Sequence, residues 1–279
     1  MRVGEGGSPR TQSADGAGGC DRVAAFGGVY SNHLALRAVI EDARARGARE
    51  MYCLGDLGGF GPNPDRVFPL LRDNDVRTLR GNYDDSIAAG RDDCQCGYTD
   101  PRDNAFARLS YRYTARKTSA RWRRWMGALP FQLRFRLGSR RVLLCHGSPR
   151  RINEFLWEST TPTHFLEKLC DDHAADIILA THTGLPWTRP LSDGRLFANV
   201  GAIGRPANDG RTCVWYAILS AGHARPEVEF VSIGYDHRSL AEEMAAESLP
   251  EEFIETILTG WWTTCMEVLP MKERRRGRY

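Results

Sequence analysis

Five short apolar runs in this sequence each end in a loop of glycine and polar residues, and this pattern constrains the fold more than any other feature. The loops cover residues 27–32, 55–61, 81–84, 146–148 and 181–183. Helical spacing of apolar residues follows the first loop, at Leu36, Val39 and Ile40. Alternation of strand, loop and helix is typical of an α/β protein with a mainly parallel sheet, in which ligands bind at the carboxyl ends of the strands. The pattern therefore predicts an α/β fold with a site at one sheet edge.

Secondary structure predicted from these periodicities consists of strands interspersed with helices. Strands are predicted at 22–26, 50–53, 76–79, 132–137, 140–145, 177–179, 195–198, 213–219 and 228–233. Helices are predicted at 33–47, at a segment opened by Pro62-Asn63-Pro64, and at 104–115, 119–129, 163–172, 239–246 and 251–259. No proline- or serine-rich linker interrupts this order. We therefore expect one domain at 21–270, between a disordered tail at 1–20 and a basic tail at 271–279.

Composition narrows the class of protein. The chain has 279 residues, of which 42% are hydrophobic and 26% charged, as in ordinary soluble globular proteins. A net charge of +3 gives no ground to expect nucleic acid as a partner, and no apolar run approaches the roughly 20 residues that span a bilayer. Eight cysteines without an export signal predict free thiols in a reducing, cytoplasmic environment. The close pair Cys94 and Cys96 is a weak metal-binding signal and is more simply interpreted as part of a loop.

Four of the strand ends carry side chains that suit a transition-metal ion. One carboxylate, one amide oxygen and two imidazoles are contributed by Asp56, Asn82, His146 and His182. This mixture of nitrogen and oxygen donors favours Mn, Fe or Zn, whereas Mg and Ca prefer shells made of oxygen alone. A single histidine of this kind is more often a hydrogen-bonded core residue. Four such residues at successive strand ends, however, predict a metal site.

Four short motifs occur in a fixed order along the chain. They are Gly55-Asp56, Gly81-Asn82-Tyr83-Asp84, Cys145-His146-Gly147-Ser148-Pro149 and Asn199-Val200-Gly201-Ala202-Ile203-Gly204. In this order they resemble the motifs of the calcineurin-like metallophosphoesterases, in particular the YfcE-like or diadenosine-tetraphosphatase-like branch. The resemblance covers about residues 22–233 and implies a four-layer α/β/β/α sandwich of two mixed sheets flanked by helices. It also implies hydrolysis of a phosphorylated small molecule or nucleotide.

Three ligand positions of the superfamily pattern are changed in this chain. The first motif, Asp-x-His, falls on Gly28 and Tyr30, and the last motif ends on Gly184 in place of its second histidine. In the family these positions hold one of two metals, whereas the other metal uses the positions of the four candidate ligands named above. The resemblance therefore implies that one divalent transition metal (Mn, Fe or Zn) is retained and that the first metal site is lost.

The resemblance also implies roles for residues beside the ligands. Tyr83 stands where the family has its catalytic histidine, so Tyr83 and the adjacent Asp84 are the predicted catalytic residues, with Asp84 orienting Tyr83 or a ligand. Arg150 and Arg151 follow the fourth motif and are predicted to bind an anionic substrate, with a solvated loop pair as the alternative. Tyr30 either fills the emptied first site, where it would contact substrate, or is packed as an ordinary core residue.

Two functions from different classes follow from this pattern. The first is a metal-dependent phosphoric-ester hydrolase, of the phosphodiesterase or phosphatase class, that works with one retained ion. The second is a catalytically impaired relative that binds a phosphorylated ligand or a partner protein. The four kept ligands favour the first function, and the changes at Gly28, Tyr30, Gly184 and Tyr83 favour the second.

Overall fold

The computed structural model describes residues 11–13, 21–192, 194–221 and 226–275. Within these ranges the chain forms eleven strands, which we number in chain order. They are β1 (Thr11–Ser13), β2 (Arg22–Phe26), β3 (Glu50–Cys53), β4 (Arg77–Thr78), β5 (Gln132–Leu137), β6 (Arg140–Cys145), β7 (Ile177–Ala180), β8 (Pro186–Pro190), β9 (Leu196–Val200), β10 (Val214–Ser220) and β11 (Val228–Ile233).

The strands form two mixed sheets. A six-stranded sheet has the order β1-β5-β6-β7-β9-β8, and a five-stranded sheet has the order β11-β10-β2-β3-β4. Strands β2, β3 and β4 run parallel to one another, as do β6, β7 and β9. Because parallel neighbours end on the same side of a sheet, the loops that follow them collect at one edge of each sheet.

Helices connect and cover the strands. They are α1 (His33–Ala45), α2 (Val67–Asp73), α3 (Asn82–Ala89), α4 (Pro101–Lys117), α5 (Ala120–Ala128), α6 (Thr163–Asp172), α7 (His237–Ala246), α8 (Glu251–Thr259) and α9 (Met271–Arg274). A 3₁₀ turn, Pro64–Arg66, leads into α2. No helix in the described ranges is long and apolar enough to cross a lipid bilayer.

The two sheets pack face to face. Strand residues from both sheets form one apolar cluster between them, which includes Val23, Leu144 and Leu179. Tyr52 of β3 stacks on Phe135 of β5 across this interface, with ring centroids 4.5 Å apart. A second cluster joins the outer face of the five-stranded sheet to α1, α2 and α5, and a third joins the outer face of the six-stranded sheet to α6. The predicted four-layer α/β/β/α sandwich is thus confirmed.

Most predicted elements are present, but α3 and β8 were not predicted from the sequence. Helix α3 starts directly after Gly81, whose backbone N–H donates to the Asp84 carboxylate; this cap forms only when the loop folds back on itself. Strand β8 begins and ends with proline, and proline normally argues against a strand. It is tolerated here because β8 lies at the edge of its sheet.

The N-terminal segment is not disordered throughout. Thr11–Ser13 pairs in parallel with β5, which corrects the prediction of a disordered tail over residues 1–20 for these three positions. An open sheet edge offers unpaired backbone groups to any extended segment nearby, and β5 offers such an edge. Residues 1–10 and 14–20 lie outside the described residues.

The predicted basic C-terminal tail begins as an ordered helix. Glu273 of α9 is buried and accepts hydrogen bonds from the backbone N–H and the hydroxyl of Ser159, at 2.8 and 2.6 Å. The boundary predicted at residue 271 is therefore too early, because a carboxylate within the basic run anchors it to the body. Residues 276–279 lie outside the described part of the chain.

A disulfide joins Cys94 to Cys96, which corrects the prediction that the cysteines are all free thiols. The intervening Gln95 has a left-handed backbone, and the two Cα atoms lie 5.3 Å apart, within the range that a disulfide spans. Cys53 and Cys145 are buried, as predicted for residues of core strands.

Candidate metal centre

All four predicted metal ligands lie at the carboxyl ends of strands. Asp56 follows β3 and Asn82 follows β4 in the five-stranded sheet, while His146 follows β6 and His182 follows β7 in the six-stranded sheet. Each sheet therefore contributes two residues, and the candidate centre lies where the edges of the two sheets meet. All four side chains are buried.

Three electron-rich atoms converge at this point. Asp56 Oδ2 lies 3.3 Å from His146 Nε2, and His146 Nε2 lies 3.2 Å from His182 Nδ1. Donor atoms of the three residues all lie within 4.8 Å of one another. Ligand atoms about 2.1 Å from a common ion are separated by about 3.0–3.4 Å, so the observed spacing suits a shared divalent ion.

Asn82 presents a further donor whose partner is missing. Its side-chain nitrogen donates to the carbonyl of Cys94 at 2.7 Å, which orients the amide. Its Oδ1 is buried and has no hydrogen-bond partner in the part of the chain that is described. A buried oxygen in this state costs about 1–3 kcal/mol, and a metal ion is a partner that would offset this cost.

The protonation of the histidines also suits metal binding. His146 Nδ1 lies 2.7 Å from the carbonyl oxygen of Leu54 and donates to it, so Nε2 faces Asp56. Burial opposes the charged form of His146, yet the Asp56 carboxylate raises its pKa above the ordinary value. Burial and the neighbouring His146 lower the pKa of His182 to about 3, which leaves a neutral imidazole. Asp56 Oδ2, His146 Nε2 and His182 Nδ1 thus lie close enough to need a proton or a cation between them. Neutral imidazole is the form that binds metals.

Two of the candidate ligands have a strained backbone. Asp56 and His182 adopt left-handed conformations, with φ of 54° and 44°. Such conformations cost about 1–3 kcal/mol each for residues other than glycine, and they persist only where the surroundings impose them. Part of the constraint comes from the close approach of two loops, since a Cβ on Gly55 would lie 2.2 Å from the backbone nitrogen of Gly81.

Asp84 holds these two loops together. It is fully buried, and its carboxylate accepts hydrogen bonds from the backbone N–H groups of Asp56 (2.8 Å), Leu57 (3.1 Å) and Gly81 (2.8 Å). Burial, reinforced by the charge of Asp56, raises the pKa of Asp84 to about 7. Both oxygens of Asp84 are therefore engaged with the backbone, in a geometry that suits a residue that positions Asp56.

Replacing Asp84 with alanine is expected to weaken metal binding by about 10- to 100-fold, the usual effect of losing a group that orients a ligand. It should also lower the free energy of unfolding by about 2–4 kcal/mol, because three buried N–H groups lose their acceptor. Isothermal titration with Mn²⁺ and chemical denaturation measure the two effects. The exposed Asp92 provides the matched control, since Asp92→Ala should change neither quantity. Unchanged metal affinity in Asp84→Ala would contradict the positioning role.

A cavity of about 60 Å³ opens beside the centre and is lined by residues that include Asp56, His182, Tyr30 and Tyr83. The hydroxyl of Tyr83 donates to Ser110 Oγ at 3.2 Å. Burial raises the pKa of both tyrosines far above the ordinary value, so both keep their protons. The two tyrosines predicted to act at the site thus border the same space as two of the candidate metal ligands.

The two arginines predicted to bind substrate are not brought to this cavity. Arg150 forms an ion pair with Glu154, and its guanidinium lies 4.7 Å from the ring centroid of Phe165. Arg151 is exposed. The Glu154 carboxylate thus pairs with the Arg150 guanidinium and holds it away from the cavity. A different arginine, Arg205, lines the cavity. It was not predicted from the sequence, although it directly follows the motif at residues 199–204.

Comparison with known sequences identifies relatives over most of the chain. The model of the calcineurin-like phosphoesterase superfamily domain matches residues 22–223. A curated protein of Methanocaldococcus jannaschii, described only as uncharacterised, is 24% identical over 254 residues, which cover 85% of this chain and 98% of the relative.

Solved structures with a similar fold include two that cover most of this chain. A metallophosphoesterase from Sphaerobacter thermophilus superposes with a TM-score of 0.65 at 24% identity, covering 86% of this chain and 99% of the other. A hypothetical protein from Pyrococcus horikoshii superposes with a TM-score of 0.71, also at 24% identity, covering 87% and 99%. At this identity the two structures establish the fold alone, whereas the family match includes all four candidate ligands. On these grounds the chain belongs to the calcineurin-like phosphoesterase superfamily.

Proposed function

We propose that this protein hydrolyses phosphoric esters with a single divalent transition metal, held by Asp56, Asn82, His146 and His182. The observation that carries the proposal is the convergence of one carboxylate oxygen and two imidazole nitrogens at 3.2–3.3 Å spacings. The buried, unpartnered Oδ1 of Asn82 supports it. Mixed nitrogen and oxygen donors favour Mn, Fe or Zn as the ion. A phosphorylated small molecule or nucleotide is the proposed substrate.

The bound ion, Tyr83 and Asp84 have different roles in the proposed hydrolysis. When bound, a divalent ion acts as a Lewis acid toward a phosphoryl oxygen and makes water more acidic. Tyr83 keeps its proton, because burial raises its pKa. Its O–H, which donates to Ser110 Oγ in the structure, would turn to donate to a phosphoryl or leaving oxygen in the cavity. Asp84 keeps Asp56 in place through backbone hydrogen bonds. Because the four candidate ligands are buried, bulk water has limited access to them.

The direct test combines metal analysis with an assay of hydrolysis. Protein reconstituted with Mn²⁺ is expected to hold one ion per chain and to cleave at least one of p-nitrophenyl phosphate, bis(p-nitrophenyl) phosphate and a dinucleoside polyphosphate. The Asp56→Ala variant, prepared in the same way, is expected to be inactive. Two ions per chain would contradict the single-metal proposal. Failure of the metal-loaded protein to cleave any of the three substrates would contradict the hydrolase proposal.

The second candidate is a non-catalytic protein that binds a phosphorylated ligand or a partner. Four positions favour it. The family pattern predicts metal ligands at Gly28, Tyr30 and Gly184 that this chain lacks. The tyrosine at position 83 is also a weaker proton donor than histidine, and burial weakens it further. The two candidates differ in one outcome, since only the hydrolase releases product from the substrates above.

A further inference from the structure

Arg205 is a buried cation that forms no ion pair with the residues that the structure describes. Its side chain is only 8% exposed, and its Nε is buried without a hydrogen-bond partner among the described residues. Within the same ranges, no aspartate or glutamate forms an ion pair with it. A buried charge without a partner is strongly unfavourable. An arginine in this position therefore indicates that an anion is bound there during function.

Aromatic residues hold the guanidinium in place. Its carbon lies 3.5 Å from the ring centroid of Trp262, 5.7 Å from that of Tyr30 and 5.8 Å from that of Phe60. Trp262 is itself fixed, because its indole N–H donates to the carbonyl of Pro206 at 2.6 Å. Stacking on the face of a guanidinium leaves the N–H donors in its plane available, and their fork matches the oxygens of a phosphate group.

The cavity connects Arg205 to the candidate metal centre. Arg205, Asp56 and His182 line the same space of about 60 Å³. A water molecule needs about 10–15 Å³ by this measure, so the space holds about four to six waters and accommodates a phosphoryl group. Among the titratable groups around Arg205, Tyr30, Tyr98 and Cys265 do not offset its charge, because burial raises their pKa values and keeps them neutral. The carboxylate that lines the same cavity, Asp56, is paired with His146.

Of the glycines at two altered family positions, Gly28 makes room for this arrangement. A Cβ on Gly28 would lie 2.9 Å from Cζ of Tyr30, and a Cβ on Gly184 would lie 3.5 Å from the ring of Trp262. A side chain at position 28 would therefore have to displace the Tyr30 ring, whereas a Cβ at position 184 makes an ordinary contact with the Trp262 ring. The glycine at position 28 and the placement of the Tyr30 ring beside the Arg205 guanidinium are thus physically linked.

We infer that Arg205 binds the phosphoryl group of the substrate and supplies, as a fixed guanidinium, positive charge that the lost first metal site cannot provide. The inference rests on the proposed function for the identity of the ligand. It does not require turnover, because an oxyanion binds to Arg205 whether or not the protein hydrolyses esters. Inorganic phosphate is therefore a sufficient probe.

The test measures phosphate binding to the full-length, metal-free protein by isothermal titration calorimetry at low ionic strength. Arg205→Gln is expected to bind phosphate at least about tenfold more weakly than the wild type, since hydrogen bonds to a charged group are lost. The matched control is Arg121→Gln. Arg121 also stacks on a tryptophan, Trp122 at 4.6 Å, but it is exposed and lies outside the cavity, so this variant should bind like the wild type.

Two results would overturn the inference: equal phosphate affinity in wild type and Arg205→Gln, or no phosphate binding by the wild type up to about 10 mM. Should Arg205→Gln fail to fold, crystals of the wild type soaked in phosphate decide instead. An anion within hydrogen-bond distance of the Arg205 guanidinium supports the inference, and a cavity without one refutes it. Inactivity of the metal-loaded protein, by contrast, would contradict the hydrolase proposal and leave these binding results intact.

Discussion

Metal binding is expected to fall by more than about 100-fold when His146 is replaced with alanine. Loss of a group that merely orients a ligand already weakens metal binding by about 10- to 100-fold, and His146 provides a donor atom between the other two, 3.3 Å from Asp56 Oδ2 and 3.2 Å from His182 Nδ1. Without it, the remaining donors are too few to hold an ion tightly. Metal content after dialysis, measured by mass spectrometry, reports the loss, and hydrolysis should disappear with it.

The matched control for this variant is His164→Ala. His164 lies on α6 and is exposed, so its removal should leave both metal content and the rise of melting temperature with added Mn²⁺ unchanged. In His146→Ala that rise should vanish. A His146→Ala protein that retains a full equivalent of metal would show that the ion binds elsewhere, and the single-metal proposal would then be wrong.

The positions of the candidate ligands could be predicted from the sequence because they depend on a general rule of α/β folds. Short apolar runs are reliable signals for buried strands, and parallel strands end at a common edge. Asp56, Asn82, His146 and His182 each follow such a run. The number of residues between these four positions does not indicate how far apart they lie in the fold. Their equivalent positions at strand ends do indicate that they lie close together.

Arg205 could not be found in the same way, because its burial is decided by a distant segment. In the sequence it stands between glycine and proline, and this context is typical of a solvated loop. Its environment comes from Trp262, which follows the last long helix, and from Tyr30, which follows the first long strand. The opposite error occurred for Arg150, whose partner Glu154 lies on the same loop but cannot be recognised as a partner until the loop's path is known.

The disulfide and the ordered ends of the chain were missed for a related reason. Whether Cys94 and Cys96 are bonded depends on the conformation of Gln95 and on redox conditions, neither of which the composition reports. Glu273 lies within a run of basic residues, and only the presence of Ser159 opposite it turns that run into a docked helix. The basic residues near Glu273 therefore predicted a solvated tail, whereas the contact between Glu273 and Ser159 holds this segment against the body as a helix.

Replacing Gly81 with alanine is expected to disrupt the site although it adds a single methyl group. A Cβ at this position would lie 2.1 Å from Asp56 Oδ1 and 2.5 Å from the Asp56 backbone nitrogen. Its φ of −90° suits alanine, so the whole effect comes from this contact. The Asp56 carboxylate must move, and metal affinity should fall by at least about 100-fold. The free energy of unfolding should fall by about 2–3 kcal/mol, as for other overpacked positions.

Gly127→Ala supplies the control, because it adds the same methyl group to a helix. A Cβ on Gly127 would meet Ala88 at 3.5 Å, an ordinary van der Waals distance, and Gly127 lies within α5. Alanine should therefore stabilise the protein by about 0.5–1 kcal/mol and leave metal affinity unchanged. Opposite signs of the two stability changes, with metal binding lost only in Gly81→Ala, are the expected pair of results. Wild-type metal affinity in Gly81→Ala would mean that Asp56 is not a ligand, because no arrangement of that loop accommodates both the methyl group and the present carboxylate.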